Sequence, residues 1–83
     1  MNVIDDPCLI KVTVTLYPPL RENRFSKAAV DIVTPATIGS LLQHLDIKKT
    51  DVESVYIDGR EGTFTQVLKG GERVVFLPLI GGG

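Results

Sequence analysis

The chain has 83 residues, with one cysteine, one histidine, one methionine and no tryptophan. Each scarcity removes a class of chemistry. A single thiol, Cys8, cannot close an internal disulfide, which fits a reducing compartment and a cytoplasmic location. No cluster of cysteine and histidine offers metal-ligand spacing, so no metal site is expected. His44 falls on a helical segment, off its leucine stripe, and reads as a solvated side chain. Cys8 has no histidine and amide set to activate it and reads as an inert thiol near the terminus. Charge of either sign is not in excess: 9 Lys and Arg face 10 Asp and Glu, for a net charge of −1. That balance leaves no electrostatic footprint for nucleic acid or an anionic membrane. Long apolar runs are missing too; none approaches the ~20 residues of a membrane span. "MNVIDDPC" lacks the basic-then-apolar pattern of a signal peptide.

Phosphate and calcium loops are also wanting. "KGGER" (Lys69 to Arg73) is too short for a phosphate loop and opens a strand, so it reads as a plain turn. "DGRE" lacks the ligand series of a calcium loop. Glu61 and Glu72 read as isolated, solvated carboxylates. No convergent set of side chains for catalysis emerges, and the chain is not expected to be an enzyme.

What is present is patterned hydrophobicity. At 43% hydrophobic and 23% charged residues, the composition is that of one globular domain. "LIKVTVTLY" alternates strictly, with Ile10, Val12, Val14 and Leu16 on one face, and predicts a half-buried strand. "PPLRENRFSK" follows as a loop. "AAVDIV" (Ala28 to Val33) alternates again, with Val30 and Ile32 inward. In "TPATIGSLLQHLDI" the period changes: Ile38, Leu41, Leu42 and Leu45 form one helical stripe. Thr37 is placed as its N-cap. Ser40 stands where the acid of a capping box would be, so that box is expected to be absent. Gly39 weakens the helix by roughly 1 kcal/mol relative to Ala. "SVYID" (Ser54 to Asp58) predicts a third strand with Val55 and Ile57 inward. "TFTQVL" (Thr63 to Leu68) fits either a short edge strand or a single helical turn. In "ERVVFLPL", Val74 and Phe76 point one way and Val75 and Leu77 the other. Both faces are apolar, as in a central strand or one whose outer face meets a partner. The order β-β-α-β-short element-β implies an α+β fold with one helix covering one face of a sheet.

The sequence closes on "PLIGGG". Glycines have the most conformational entropy to lose on ordering and no side chain to pack. Either the tail is idle, a frayed end or leftover linker, or it is a thin chain end that must enter a narrow channel carrying a carboxylate. Such a carboxylate becomes an acyl donor once joined to AMP, whose phosphate is a good leaving group. Gly83 would carry the carboxylate, with Gly81 and Gly82 giving backbone-only access. Pro78 would limit the chain to extended φ, and Leu79 and Ile80 would grip the channel mouth.

Four stretches carry a family resemblance: "LYPPLRE" (Leu16 to Glu22), "ATIGSLLQHL", "VYIDGR" and "LKGGERVVFLPLIGGG". Over Leu9 to Gly83 the chain resembles the MoaD/ThiS sulfur-carrier proteins of the ubiquitin-like β-grasp superfamily, with the molybdopterin synthase small subunit as the nearest branch. The resemblance implies a mixed four- to five-stranded sheet packed on one main helix, with the first and last strands parallel in its middle and a flexible Gly-Gly tail. Residues 1–8 would be a flexible extension, 9–80 the domain and 81–83 the reactive tail. It implies that a ubiquitin-activating-like adenylyltransferase, using ATP and Mg²⁺, adenylates Gly83. A sulfurtransferase or cysteine desulfurase then yields a thiocarboxylate, which gives its sulfur to a precursor on a synthase large subunit. No cofactor is bound by the carrier itself. Val75 and Leu77 are expected to form an exposed apolar patch for these partners. Two departures stand out: Gly70 precedes Gly71 where the family often has Asp-Gly, and Leu79 replaces the second proline of its Pro-Pro element. Thiamine and other sulfur pathways, a protein-modifier role and a pure binding module are the alternatives.

Overall fold

The first hairpin sets the frame. In the computed structural model, which describes residues 8–79, the elements in chain order are β1 (Leu9–Leu16), β2 (Lys27–Val33), β3 (Ala36–Thr37), α1 (Ile38–His44), a 3₁₀ turn over Lys49–Asp51, β4 (Val52–Ile57), β5 (Arg60–Glu61), β6 (Val67–Leu68) and β7 (Arg73–Pro78). β1 and β2 pair antiparallel from Leu9 opposite Val33 to Thr15 opposite Lys27. Their alternation does what period two dictates: Val12, Val14, Leu16, Val30 and Ile32 are buried, and Lys11 and Asp31 face solvent. The five-stranded sheet runs β2-β1-β7-β4-β5. β7 lies parallel to β1, with Val14 opposite Val74 and Leu16 opposite Phe76, and antiparallel to β4. The mixed sheet and its parallel central pair therefore match the expected β-grasp arrangement. The third strand begins at Val52, two residues earlier than the sequence pattern suggested.

"TFTQVL" follows the strand reading at its end only, and no helical turn forms in it. Phe64 and Thr65 form a turn, and Val67–Leu68 then pairs with Ala36–Thr37 as a separate two-stranded ladder. That ladder delivers the chain to α1. Ile38, Leu41 and Leu42 of the stripe are buried among Val12, Val14, Leu16, Val55, Val74 and Phe76. Leu45 is the C-cap and packs at the edge of this core. Among the described residues no helix is long and apolar enough to cross a membrane.

Two local expectations need correction. The capping box at α1 is present. Thr37 Oγ1 accepts from the Ser40 N–H at 3.1 Å, and Ser40 Oγ accepts from the Thr37 N–H at 2.8 Å. A serine hydroxyl is short, but it carries acceptor lone pairs and reaches back one turn as an acid would, so it satisfies the same orphan donor. Glu72 is not merely solvated. Its carboxylate accepts from the N–H groups of Lys69 and Gly70 at 2.8 and 2.7 Å, closing the turn before β7. Gly70 and Gly71 take φ of 111° and 86°, a region that penalises any Cβ. The Gly71 N–H then bonds the Lys11 carbonyl at 2.8 Å, tying the turn to β1. With Glu72 filling its donors, this turn offers no empty cradle for a phosphate. Gly39 has its own reason: its N–H bonds the Phe64 carbonyl at 2.8 Å, and an added Cβ would lie 3.3 Å from that oxygen.

The loop after β1 is pinned by Leu20, which is buried, and by Arg24. The Arg24 guanidinium donates to the carbonyls of Leu20 (2.8 Å), Leu45 (3.2 Å) and Asp46 (2.7 Å). A cation thus sits on the free carbonyls at the C-terminal end of α1, where the helix dipole favours it. Arg24→Ala is expected to cost about 1–2 kcal/mol, the net value of a few charge-assisted bonds at a partly exposed site. Urea unfolding would read the loss, and amide exchange should localise it to the loop and the end of α1. Unchanged stability would show that the clamp is incidental.

Candidate functional site: the outer sheet face and the end of β7

Of the residues proposed for the C-terminal segment, the structure describes Pro78 and Leu79. Pro78 closes β7, is buried, and pairs with Val52 of β4. It continues the inward period of Val74 and Phe76, so it sits in the sheet. The Leu79 N–H donates to the Asp51 carbonyl at 2.9 Å, and its side chain is 54% exposed. The 3₁₀ turn therefore holds the chain up to Leu79. A shallow hollow lined by Pro19, Leu20, Arg24, Ile47 and Asp51 adjoins that residue. Ile80, Gly81, Gly82 and Gly83 lie outside the described residues.

Val75 and Leu77 point away from the helix, as the alternation requires. They are half-buried, not fully exposed. The register gives the reason. Val75 stands between Thr15 of β1 and Tyr56 of β4, and Leu77 stands opposite Ser54. These flanking side chains cover part of each. The outer face is thus a band of modest apolarity, Thr15-Val75-Tyr56 with Leu77 beside it. Charges close its ends: Lys27 lies beyond Thr15, and Glu61 lies beyond Tyr56. An apolar centre with a charged rim is the usual anatomy of a protein–protein contact. Tyr56, Thr15 and Ser54 were not singled out from the sequence. Their signal was the alternation of the neighbouring strands, which only the sheet order brings together.

Among the described residues no set of side chains forms an acid–base centre. His44 and Cys8 are exposed on separate segments. Among the described residues no three His, Cys, Asp or Glu side chains converge. A cleft of about 680 Å³ lies between α1, the 3₁₀ turn and Phe64. Lys49 Nζ sits 5.9 Å from the Phe64 ring centroid there. Its lining carries hydroxyls, one amide and two lysines, but no carboxylate, imidazole or thiol. What the geometry offers chemically is a rigid strand ending at an anchored, exposed residue, beside a face fit for docking.

Comparison with known proteins bears on what this arrangement serves. No curated protein matched the chain. Several solved structures share its fold at low identity. SAMP1 of Haloferax volcanii superposes with a TM-score of 0.68 at 20% identity, covering 88% of this chain and 99% of its own. The HVO 2177 protein of the same organism gives 0.74 at 20%, covering 98% and 93%. A Pyrococcus furiosus protein assigned as molybdopterin converting factor, subunit 1, gives 0.70 at 18%, covering 86% and 99%. At such identities the likeness establishes the fold. The model of the ThiS family, in contrast, matches the sequence over residues 14–83, from the middle of β1 through the glycines. The chain, a ubiquitin-like β-grasp protein, therefore belongs to the ThiS family.

Proposed function

We propose that this protein is a sulfur carrier, a cosubstrate of other enzymes, and that its sulfur serves molybdopterin synthesis. The observation that carries the reading is the extent of the family match, which runs through β7 into Gly81–Gly83. In the proposed reaction the Gly83 carboxylate attacks the α-phosphorus of ATP on a ubiquitin-activating-like adenylyltransferase, and pyrophosphate leaves. Mg²⁺ belongs to that partner and neutralises the phosphates there. A persulfide borne by a sulfurtransferase or cysteine desulfurase then attacks the acyl carbon and AMP departs; a second thiol of the partner cleaves the S–S bond of this acyl persulfide, is itself oxidised to a disulfide, and releases the thiocarboxylate. The resulting thiocarboxylate hands its sulfur to a precursor held by a synthase large subunit. This chain's own contribution is positional: β7 presents the tail, and Val75, Leu77 and Tyr56 offer the face on which a partner docks.

Support for the molybdopterin branch comes from "LYPPLRE" after β1 and from the fold shared with the Pyrococcus protein. A second reading, a protein modifier in which Gly83 becomes amide-linked to lysines, is favoured by the equally good superposition on SAMP1, whose structure is also described as small archaeal modifier protein 1. The two share the adenylation step and part afterwards. Recovery of branched conjugates from cells would select the modifier. The shared step is tested with an activating enzyme of the same genome, as ATP–pyrophosphate exchange dependent on this protein. Exchange is expected with the native chain and is expected to vanish when one alanine is appended after Gly83. Exchange that tolerates the extra residue would refute the role of the Gly83 carboxylate.

A further inference from the structure

β2 forms one border of the main sheet, and among the described residues no strand lies on its far side. Which of its backbone groups are free follows from the ladder. Leu16 N–H bonds the Ser26 carbonyl and Thr34 N–H bonds the Cys8 carbonyl, both at 2.8 Å. Both pairs fall on the β1–β2 register. Hydrogen-bonded pairs alternate along an antiparallel ladder. Ala28, Val30 and Ile32 therefore spend their backbone groups on β1. Lys27, Ala29, Asp31 and Val33 turn theirs outward. No described hydrogen bond from Lys27, Ala29 or Asp31 meets these outward groups. The same residues carry side chains on the outer sheet face, and the strand contains no proline.

We infer that this edge pairs with β2 of a second copy of the chain, antiparallel, about a two-fold axis at Ala29. The charges select this occupant and this register. With Ala29 opposite Ala29 of the second copy, Lys27 stands opposite Asp31 of that copy, and Asp31 opposite its Lys27. All three pairs use outward-facing backbone groups, so each exchanges two N–H···O bonds, and both unlike charge pairs form on the same face. Centring the axis on Lys27 or on Asp31 sets like charges against each other, which is destabilising. Centring it on Val30 sets Lys27 against Val33. Lys27 has no ion-pair partner among the described residues, whereas Asp31 already has Lys11 at 3.4 Å. The second copy thus supplies the acid that Lys27 lacks. The small Ala29 side chain keeps the crossing point open. An isologous contact of this kind closes on itself and does not propagate. It also stops further edge-to-edge pairing, the hazard of a bare border strand. β7 lies two strands away from this edge, so the outer face around Val75 and Leu77 stays open and becomes continuous with that of the second copy.

The inference does not rest on the proposed function, and its test reads oligomeric state alone. Sedimentation equilibrium from micromolar to millimolar protein is expected to show a reversible monomer–dimer system. Amide exchange at Lys27, Ala29 and Asp31 should slow as the dimer forms. Lys27→Asp leaves the Lys11–Asp31 pair intact and should weaken the dimer at least about tenfold, since two unlike pairs become like ones. The double exchange Lys27→Asp with Asp31→Lys should restore it. Ala29→Pro removes only an outward N–H; it should melt like the native chain yet remain monomeric. A native chain that is monomeric throughout, or a dimer indifferent to Lys27→Asp and Ala29→Pro, would overturn the inference.

Discussion

Phe76→Ala is expected to lower the unfolding free energy by about 3–5 kcal/mol, the range for truncating a fully buried phenylalanine. Phe76 has no exposed surface and lies in the middle of β7, between Leu16 of β1 and Val55 of β4, with the helix above it. Both neighbouring strands are held by their own ladders, so the site cannot collapse to fill the void. For a domain whose whole stability is on the order of 5–10 kcal/mol, that loss is most of it. Urea titration should show a lower midpoint at unchanged m-value. The neighbouring residue supplies the contrast. Leu77 is half-buried on the opposite face, so Leu77→Asp should leave the fold largely intact and weaken partner binding by a few kcal/mol, as for a central interface residue. A chain that unfolds with Leu77→Asp and tolerates Phe76→Ala would mean that the two faces are assigned the wrong way round.

Gly82→Ala is expected to cut thiocarboxylate formation by about a hundredfold or more. That corresponds to the ~3 kcal/mol that a misplaced reacting group commonly costs. The expected effect is steric. Ordering each tail residue costs on the order of 1–2 kcal/mol. Glycines there are favoured when the activating channel admits backbone and little else. A Cβ at position 82 must enter that channel next to the reacting carboxylate. The same substitution is expected to leave the core formed by the described residues untouched. Thermal unfolding should therefore be unchanged. Activation kinetics that are also unchanged would remove the steric account of the tail.

Much of this was legible in the residues. The alternation of "LIKVTVTLY" and "ERVVFLPL" assigned inward and outward faces correctly, because one face of each strand meets the core. Carried one step further, the period of Val74 and Phe76 would have included Pro78. The leucine stripe of "TIGSLLQHL" located the helix for the same reason. What escaped were contacts that depend on who lies across a gap. Arg24 reaches carbonyls 21 and 22 residues away, and nothing in "LRENRF" names them. Glu72 caps its own turn because two glycines bend the backbone toward it, so a carboxylate that looked idle has a structural task. Ser40 completes a capping box with a hydroxyl where the pattern asks for an acid. The third strand starts at Val52 and not at Ser54 because Val52 pairs with Pro78 across the sheet, a partnership invisible in "DVESV" alone. The docking face was half legible. Val75 and Leu77 could be read from one strand, whereas Thr15, Ser54 and Tyr56 join them only through the sheet order.

The central claim is that Gly83 carries activated sulfur, and intact-protein mass spectrometry addresses it most directly. The protein would be incubated with an activating enzyme from its own genome, ATP, Mg²⁺, a persulfide donor and a thiol that cleaves the acyl persulfide. The account predicts a mass increase equal to the replacement of one carboxylate oxygen by sulfur, confined to the C-terminal peptide and dependent on ATP. An unchanged mass with every activating enzyme of that genome, under conditions where each adenylates another carrier, would contradict it.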